Sequence, residues 1–67
     1  MPGQIKYMID MIVVERSGGS ETIASIIRTK LLLKGIDPSI YTKQSDDDPV
    51  VVKKLKEIAK EFGVYSI

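Results

Sequence analysis

A chain of 67 residues with neither cysteine nor histidine has to hold itself together by packing alone. Chains this short bury only about 60% of the surface their unfolded form exposes, and many are reinforced by disulfides, a structural metal or a partner. Without cysteine or histidine, disulfides and Cys/His zinc sites are excluded. So are Cys or His nucleophiles, Ser-His-Asp triads, thiol redox chemistry and haem ligation by either residue. What remains is apolar burial, helped by contact with another protein surface.

Charge narrows the partners. Ten basic and nine acidic residues leave a net charge of +1, which is no electrostatic footprint for nucleic acid or an anionic membrane. A chain 43% hydrophobic and 28% charged belongs among globular domains rather than disordered ones. The longest apolar run, Met11 to Val14, is far too short to span a membrane. Residues 5–14 are interrupted by Lys6 and Asp10, and no small-residue cleavage site follows, so a secretory signal is not expected and a cytoplasmic location is. No linker or repeat divides the chain. Residues 1–67 read as a single domain, with residues 1–4 as a flexible N-terminus.

The clearest element is the last. Asp48 precedes Pro49, an N-cap followed by proline at the first helical position. At about 100° per residue, Val51, Leu55, Ile58 and Phe62 fall on one stripe, with Val52 and Ala59 beside it. Lys53, Lys54, Lys56, Glu57, Lys60 and Glu61 fill the opposite arc, and Gly63 ends the helix with Val64 placed to pack back on it. The spacing predicts a helix over 49–62.

The middle segment is also helical. Ser20 is the expected N-cap, Glu21 lies in the first turn, and Gly35 is the expected stop before apolar Ile36. Ile23, Ile26, Ile27, Leu31 and Leu33 form a wide apolar face with Ala24 at its edge. Two residues break this pattern. Lys30 falls inside the apolar arc, where its stem can lie on apolar surface, and Leu32 lands among polar neighbours as an exposed leucine or an interface contact.

Residues 5–15 fit two periods. As a strand, Ile5, Tyr7, Ile9, Met11 and Val13 alternate with Lys6, Met8, Asp10, Ile12 and Val14; as a helix, Ile5, Met8, Ile9, Ile12 and Val13 recur at i, i+3, i+4, i+7 and i+8. The β-branched content favours the strand. With 39–43 and 64–67 as short further strands, the expected fold is α/β, a small single-layer β-α-β-α-β domain with two amphipathic helices on a short sheet. The alternative is a three-helix all-α domain. A first strand longer than its partners would need cover from a second copy or another protein, which makes Ile5, Tyr7, Ile9, Met11 and Leu32 the candidate interface.

Chemistry has few footholds. Arg16, Ser17, Gly18, Gly19 and Ser20 form a glycine turn at a helix N-terminus, where free backbone N–H groups suit phosphate. The run matches neither a G-x-x-x-x-G-K-[ST] loop nor G-x-G-x-x-G, and Glu21 would compete with an anion. Asp46, Asp47 and Asp48 are adjacent rather than alternating, unlike calcium ligands, so capping is expected and no metal. The lysines of the last helix are diluted by Glu57 and Glu61, which suits a solvated face with Lys53–Glu57 pairing more than a nucleic-acid surface.

Loss of Met1 would leave Pro2 as the amino terminus. Pro2, a strand ending at Arg16-Ser17, then a helix and a second strand loosely resemble the small tautomerases that use an N-terminal proline as base, a likeness covering about 45 residues. The resemblance implies a catalytic Pro2. The chain departs from that family in Gly3 after the proline, in the late position of Arg16, in the lack of a second-strand arginine and in a helical end.

These observations favour a non-catalytic, self-associating interaction or regulatory domain without cofactor. The alternative is a phosphate- or nucleotide-binding module built on residues 16–21.

Overall fold

A computed structural model describes residues 2–65. They form three helices, α1 (Gln4–Ser17), α2 (Glu21–Leu33) and α3 (Pro49–Glu61), with one 3-10 turn (Pro38–Ile40) between α2 and α3. Among the described residues there is no strand. The α/β expectation is therefore corrected to an all-α fold, the three-helix alternative.

The correction turns on residues 5–15, where helix and strand both offered an apolar pattern. Ile5, Met8, Ile9, Ile12 and Val13 are all buried, which is the helical set and not the alternating one. A helix satisfies its backbone hydrogen bonds internally, whereas a ten-residue strand needs a partner of similar length that this chain lacks. The modest β preference of Ile and Val yields to that requirement. The expected strand over 39–43 is instead partly the 3-10 turn, where Asp37 accepts hydrogen bonds from the Ser39 backbone N–H (2.9 Å) and hydroxyl (2.7 Å). Of the expected strand over 64–67, Val64 and Tyr65 are not in a strand, and residues 66–67 lie outside the described residues.

Helix ends follow the local sequence closely. Ser20 Oγ accepts from the Ile23 N–H at 3.3 Å, and Asp48 Oδ1 accepts from the Val50 N–H at 2.9 Å behind Pro49. Both α2 and α3 close with a paired motif. Gly35 donates to the Leu32 carbonyl and Ile36 to that of Leu31, while Gly63 donates to Lys60 and Val64 to Ala59. In each case the apolar residue after the glycine is buried.

The core gathers the inward stripes of the three helices together with Ile36 and Val64, and Tyr41, Val51, Val52 and Phe62 pack on its edge. Helix α1 packs against both α2 and α3, but α2 and α3 make only slight contact with each other. The loop before α3 is tied to the start of α1. Gly3 donates to the Ser45 carbonyl at 3.0 Å, and the Gln4 N–H donates to Asp47 Oδ1 at 2.9 Å. Gly3 has φ +90°, and a Cβ there would lie 2.6 Å from the Lys43 carbonyl oxygen. Only glycine fits that approach.

Candidate functional site

Helix α2 is the element whose side chains are least accounted for by the fold. Of its 13 residues only Ala24, Ile27 and Leu31 are buried, so the core takes one edge of the wide apolar face that the sequence predicts. Ile23, Ile26 and Leu33 are exposed by 44, 50 and 81%. With exposed Lys30, they occupy positions 23, 26, 30 and 33. Spacings of three, four and three residues place all four on one outward stripe. The cause is the slight contact between α2 and α3, which leaves this flank of α2 without a neighbour.

On the other flank of α2 a cleft of about 370 Å³ opens between α1, α2 and the 3-10 turn. Ser25, Arg28, Thr29 and Leu32 reach it from α2 at i, i+3, i+4 and i+7; α1 supplies Lys6, Ile9 and Asp10, and the turn supplies Asp37, Pro38 and Ser39. Lys6 and Asp10 pair at 3.0 Å. Thr29 donates its hydroxyl to the Ser25 carbonyl at 3.0 Å. Among the described residues the Arg28 guanidinium has no hydrogen-bond or ion-pair partner, and the Asp37 carboxylate bonds only to Ser39, through Oδ1. The Ser39 hydroxyl, and then its backbone N–H, hold the Asp37 carboxyl below the usual carboxylate range.

The candidate interface residues separate. Ile5 and Ile9 lie in the core, Tyr7 is 59% exposed, and Met11 is half-buried. Side chains that share one strand face diverge once the segment is helical, because two residues are about 200° apart on a helix. Leu32 is half exposed and lines the cleft, on a different flank from Ile23 and Ile26.

At the α1–α2 turn, Arg16 is exposed and Ser17 is buried. Gly18 and Gly19 have φ +56° and +92°, and a Cβ at either would meet nothing within 4 Å. Ser20 donates its N–H to the Ser17 carbonyl and spends its side-chain oxygen on Ile23. The N–H groups of Gly19, Glu21 and Thr22 have no acceptor among the described residues.

Three other features resolve differently. Pro2 and Arg16 sit at opposite ends of α1, about 20 Å apart at 1.5 Å per residue, and the strands of the tautomerase likeness are absent from residues 2–65. Of the three aspartates, Asp48 caps α3 and Asp47 caps α1 from across the chain. Lys53 and Glu57 are not paired; instead Lys34, from the end of α2, reaches Glu61 at 2.7 Å.

Sequence reasoning missed Arg28, Asp37 and the role of Asp47. Ser25, Arg28, Thr29 and Leu32 do recur with helical spacing, a signal that a polar stripe on α2 faces something of its own. Asp47 gave no local signal, since the helix it caps begins 43 residues earlier. Compared with protein-family models, with curated proteins and with solved structures, the chain matches none.

Proposed function

We propose that this chain is a self-associating interaction domain that acts by binding, and that the outward stripe of α2 is its contact surface. One observation carries the reading: a 13-residue helix buries three apolar side chains and leaves Ile23, Ile26 and Leu33 exposed on a single stripe. Aliphatic side chains aligned at a-and-d spacing are what a second helix packs against. Lys30 at the centre of the stripe sets the orientation. Two parallel copies would place Lys30 against Lys30, whereas antiparallel copies place it beside the partner's Ile26 and oppose the helix dipoles.

Sedimentation equilibrium tests this directly. The wild type is expected to dimerise at micromolar to near-millimolar concentration. The pair Ile26→Asp and Leu33→Asp is expected to be monomeric with an unchanged thermal melt. Lys30→Leu, which removes the one charge from the seam, should tighten the dimer by about tenfold or more, or roughly 1.4 kcal/mol. A monomeric mass for both the wild type and the Lys30→Leu protein overturns the reading.

A second reading, a phosphate- or nucleotide-binding module at Arg16–Ser20, is favoured by the adjacent left-handed glycines and the three unaccepted N–H groups at the start of α2. Titration with inorganic phosphate checks it. Saturable amide shifts at residues 18–22 that are lost in Arg16→Gln support it, and flat amides there end it.

A further inference from the structure

We propose that the cleft between α1, α2 and the 3-10 turn binds a small zwitterion of the α-amino-acid type. Arg28 would take its carboxylate, Asp37 its ammonium group, and Ile9, Leu32 and Pro38 its aliphatic side chain. The argument begins with charge. Four ionic residues line the cleft, Lys6, Arg28, Asp10 and Asp37, two of each sign. Lys6 and Asp10 neutralise one another at 3.0 Å. Arg28 and Asp37 are left on different walls and do not lie within ion-pair distance of each other.

An occupant carrying a single charge would satisfy one of these groups and face the other as a like charge or an unpaired one. A phosphate would meet two carboxylates, and a lone cation would meet Arg28. A molecule that carries both signs side by side can sit between the two walls, its carboxylate turned to Arg28 and its ammonium to Asp37, and satisfy both at once.

The remaining geometry fits the same class. The Ser25 hydroxyl stands near Arg28 on the α2 wall and adds a donor where a carboxylate would sit, whereas the Thr29 hydroxyl already donates to the Ser25 carbonyl. On the opposite wall Asp37 uses Oδ1 for Ser39, and its Oδ2 has no partner among the described residues. The same two bonds fix the orientation of that carboxylate, so little ordering is left for binding to impose. Leu32, apolar yet 53% exposed, is explained as part of the cleft wall. A volume of about 370 Å³ lies at the small end of ligand sites, suited to a single amino acid rather than a drug-sized molecule.

The test is an amide-resolved NMR titration of the whole chain with L-leucine, against two analogues that each keep one charge, 4-methylpentanoate and 3-methylbutylamine. Leucine is expected to give saturable shifts at Arg28, Thr29, Leu32, Asp37 and Ser39. Each analogue should bind at least about tenfold more weakly, a difference of ~1.4 kcal/mol. Arg28→Gln and Asp37→Asn should each weaken leucine by a similar factor. Neither variant threatens the fold: the Arg28 side chain has no partner among the described residues to lose, and asparagine still offers Ser39 an acceptor oxygen. Leucine shifts that do not saturate, analogues that bind as well as leucine, or an Arg28→Gln protein that binds unchanged would each overturn the assignment. None of these outcomes bears on dimerisation through α2, whose stripe lies on the opposite flank.

Discussion

Helices α1 and α2 are nearly equal in length, 14 and 13 residues, and comparably rich in large apolar side chains. They spend them differently. Helix α1 buries Ile5, Met8, Ile9, Ile12 and Val13 and turns only Tyr7 and Val14 well out to solvent among its large apolar residues. Helix α2 buries Ala24, Ile27 and Leu31 and leaves Ile23, Ile26, Leu32 and Leu33 exposed. The difference lies in neighbours. Helix α1 packs against two helices and α2 effectively against one. In a three-helix chain without cysteine or histidine, apolar pattern decides which residues can be buried, and helix placement decides which are. Surplus apolar surface on the peripheral helix is then available to another molecule.

The largest effect that separates the two helices should come from truncation. Ile12 is fully buried on α1, and Ile26 is half exposed on α2. Ile12→Ala removes methylenes from the centre of the core and is expected to cost about 2–5 kcal/mol. A chain of this size has only about 3–10 kcal/mol of stability in total, so the variant should lose a large share of it and melt at a much lower urea concentration. Ile26→Ala should change stability of the monomer by no more than about 0.5 kcal/mol. Urea melts at a concentration below self-association measure both. Similar losses at the two positions would mean that α2 is covered in solution and would erase the contrast.

How much of this was legible in the sequence also divides by region. Helix α3 and both glycine-terminated helix ends could be read because each signal is local: Asp48-Pro49, Gly35-Ile36 and Gly63-Val64 carry their own geometry. The state of residues 5–15 could not, because Ile, Met and Val satisfied both periods and the outcome rested on whether another segment could pair with a strand. For α2, the periodicity located a wide apolar face but not which edge of it would meet α1. That depends on α3 lying elsewhere, a non-local fact. The turn at residues 16–20 was visible as a glycine turn, while the cleft was not, since Arg28 and Asp37 come together only when the chain folds back at Gly35.

A smaller effect is expected where α1 begins. Gly3 is held at φ +90° with the Lys43 carbonyl against it, and it connects α1 to the loop that leads into α3. Gly3→Ala forces an L-residue into an unfavourable conformation and drives its Cβ into backbone, at an expected cost of about 1–3 kcal/mol. Gly18→Ala is the sharper comparison, because it has positive φ but open space around it. It should cost about 1 kcal/mol, the conformational part alone. Thermal melts of the two variants would separate steric clash from backbone strain; equal losses would show that the loop yields to the methyl group and that α1 and α3 are joined less tightly than the hydrogen bonds at Ser45 and Asp47 imply.

The smallest effect concerns the direct link between the two helices that scarcely touch. Lys34 at the end of α2 pairs with Glu61 at the end of α3 at 2.7 Å, with side chains 38 and 58% exposed. An ion pair that exposed is screened by water and has to order two long side chains, so its net contribution should lie between about 0 and 1 kcal/mol. Glu61→Gln is therefore expected to lower the melting temperature only slightly at low salt. At about 1 M salt, where the screening length falls to about 3 Å, the difference from wild type should vanish. The salt series is informative because the alternative makes an opposite prediction. If α2 is fixed to α3 mainly by this pair, losing it would loosen the end of α2 and expose buried Ile36 just after it, a loss of apolar burial that salt does not screen. A Glu61→Gln deficit that persists in high salt would thus make α2 a hinged rather than a docked helix, and its outward stripe a mobile surface.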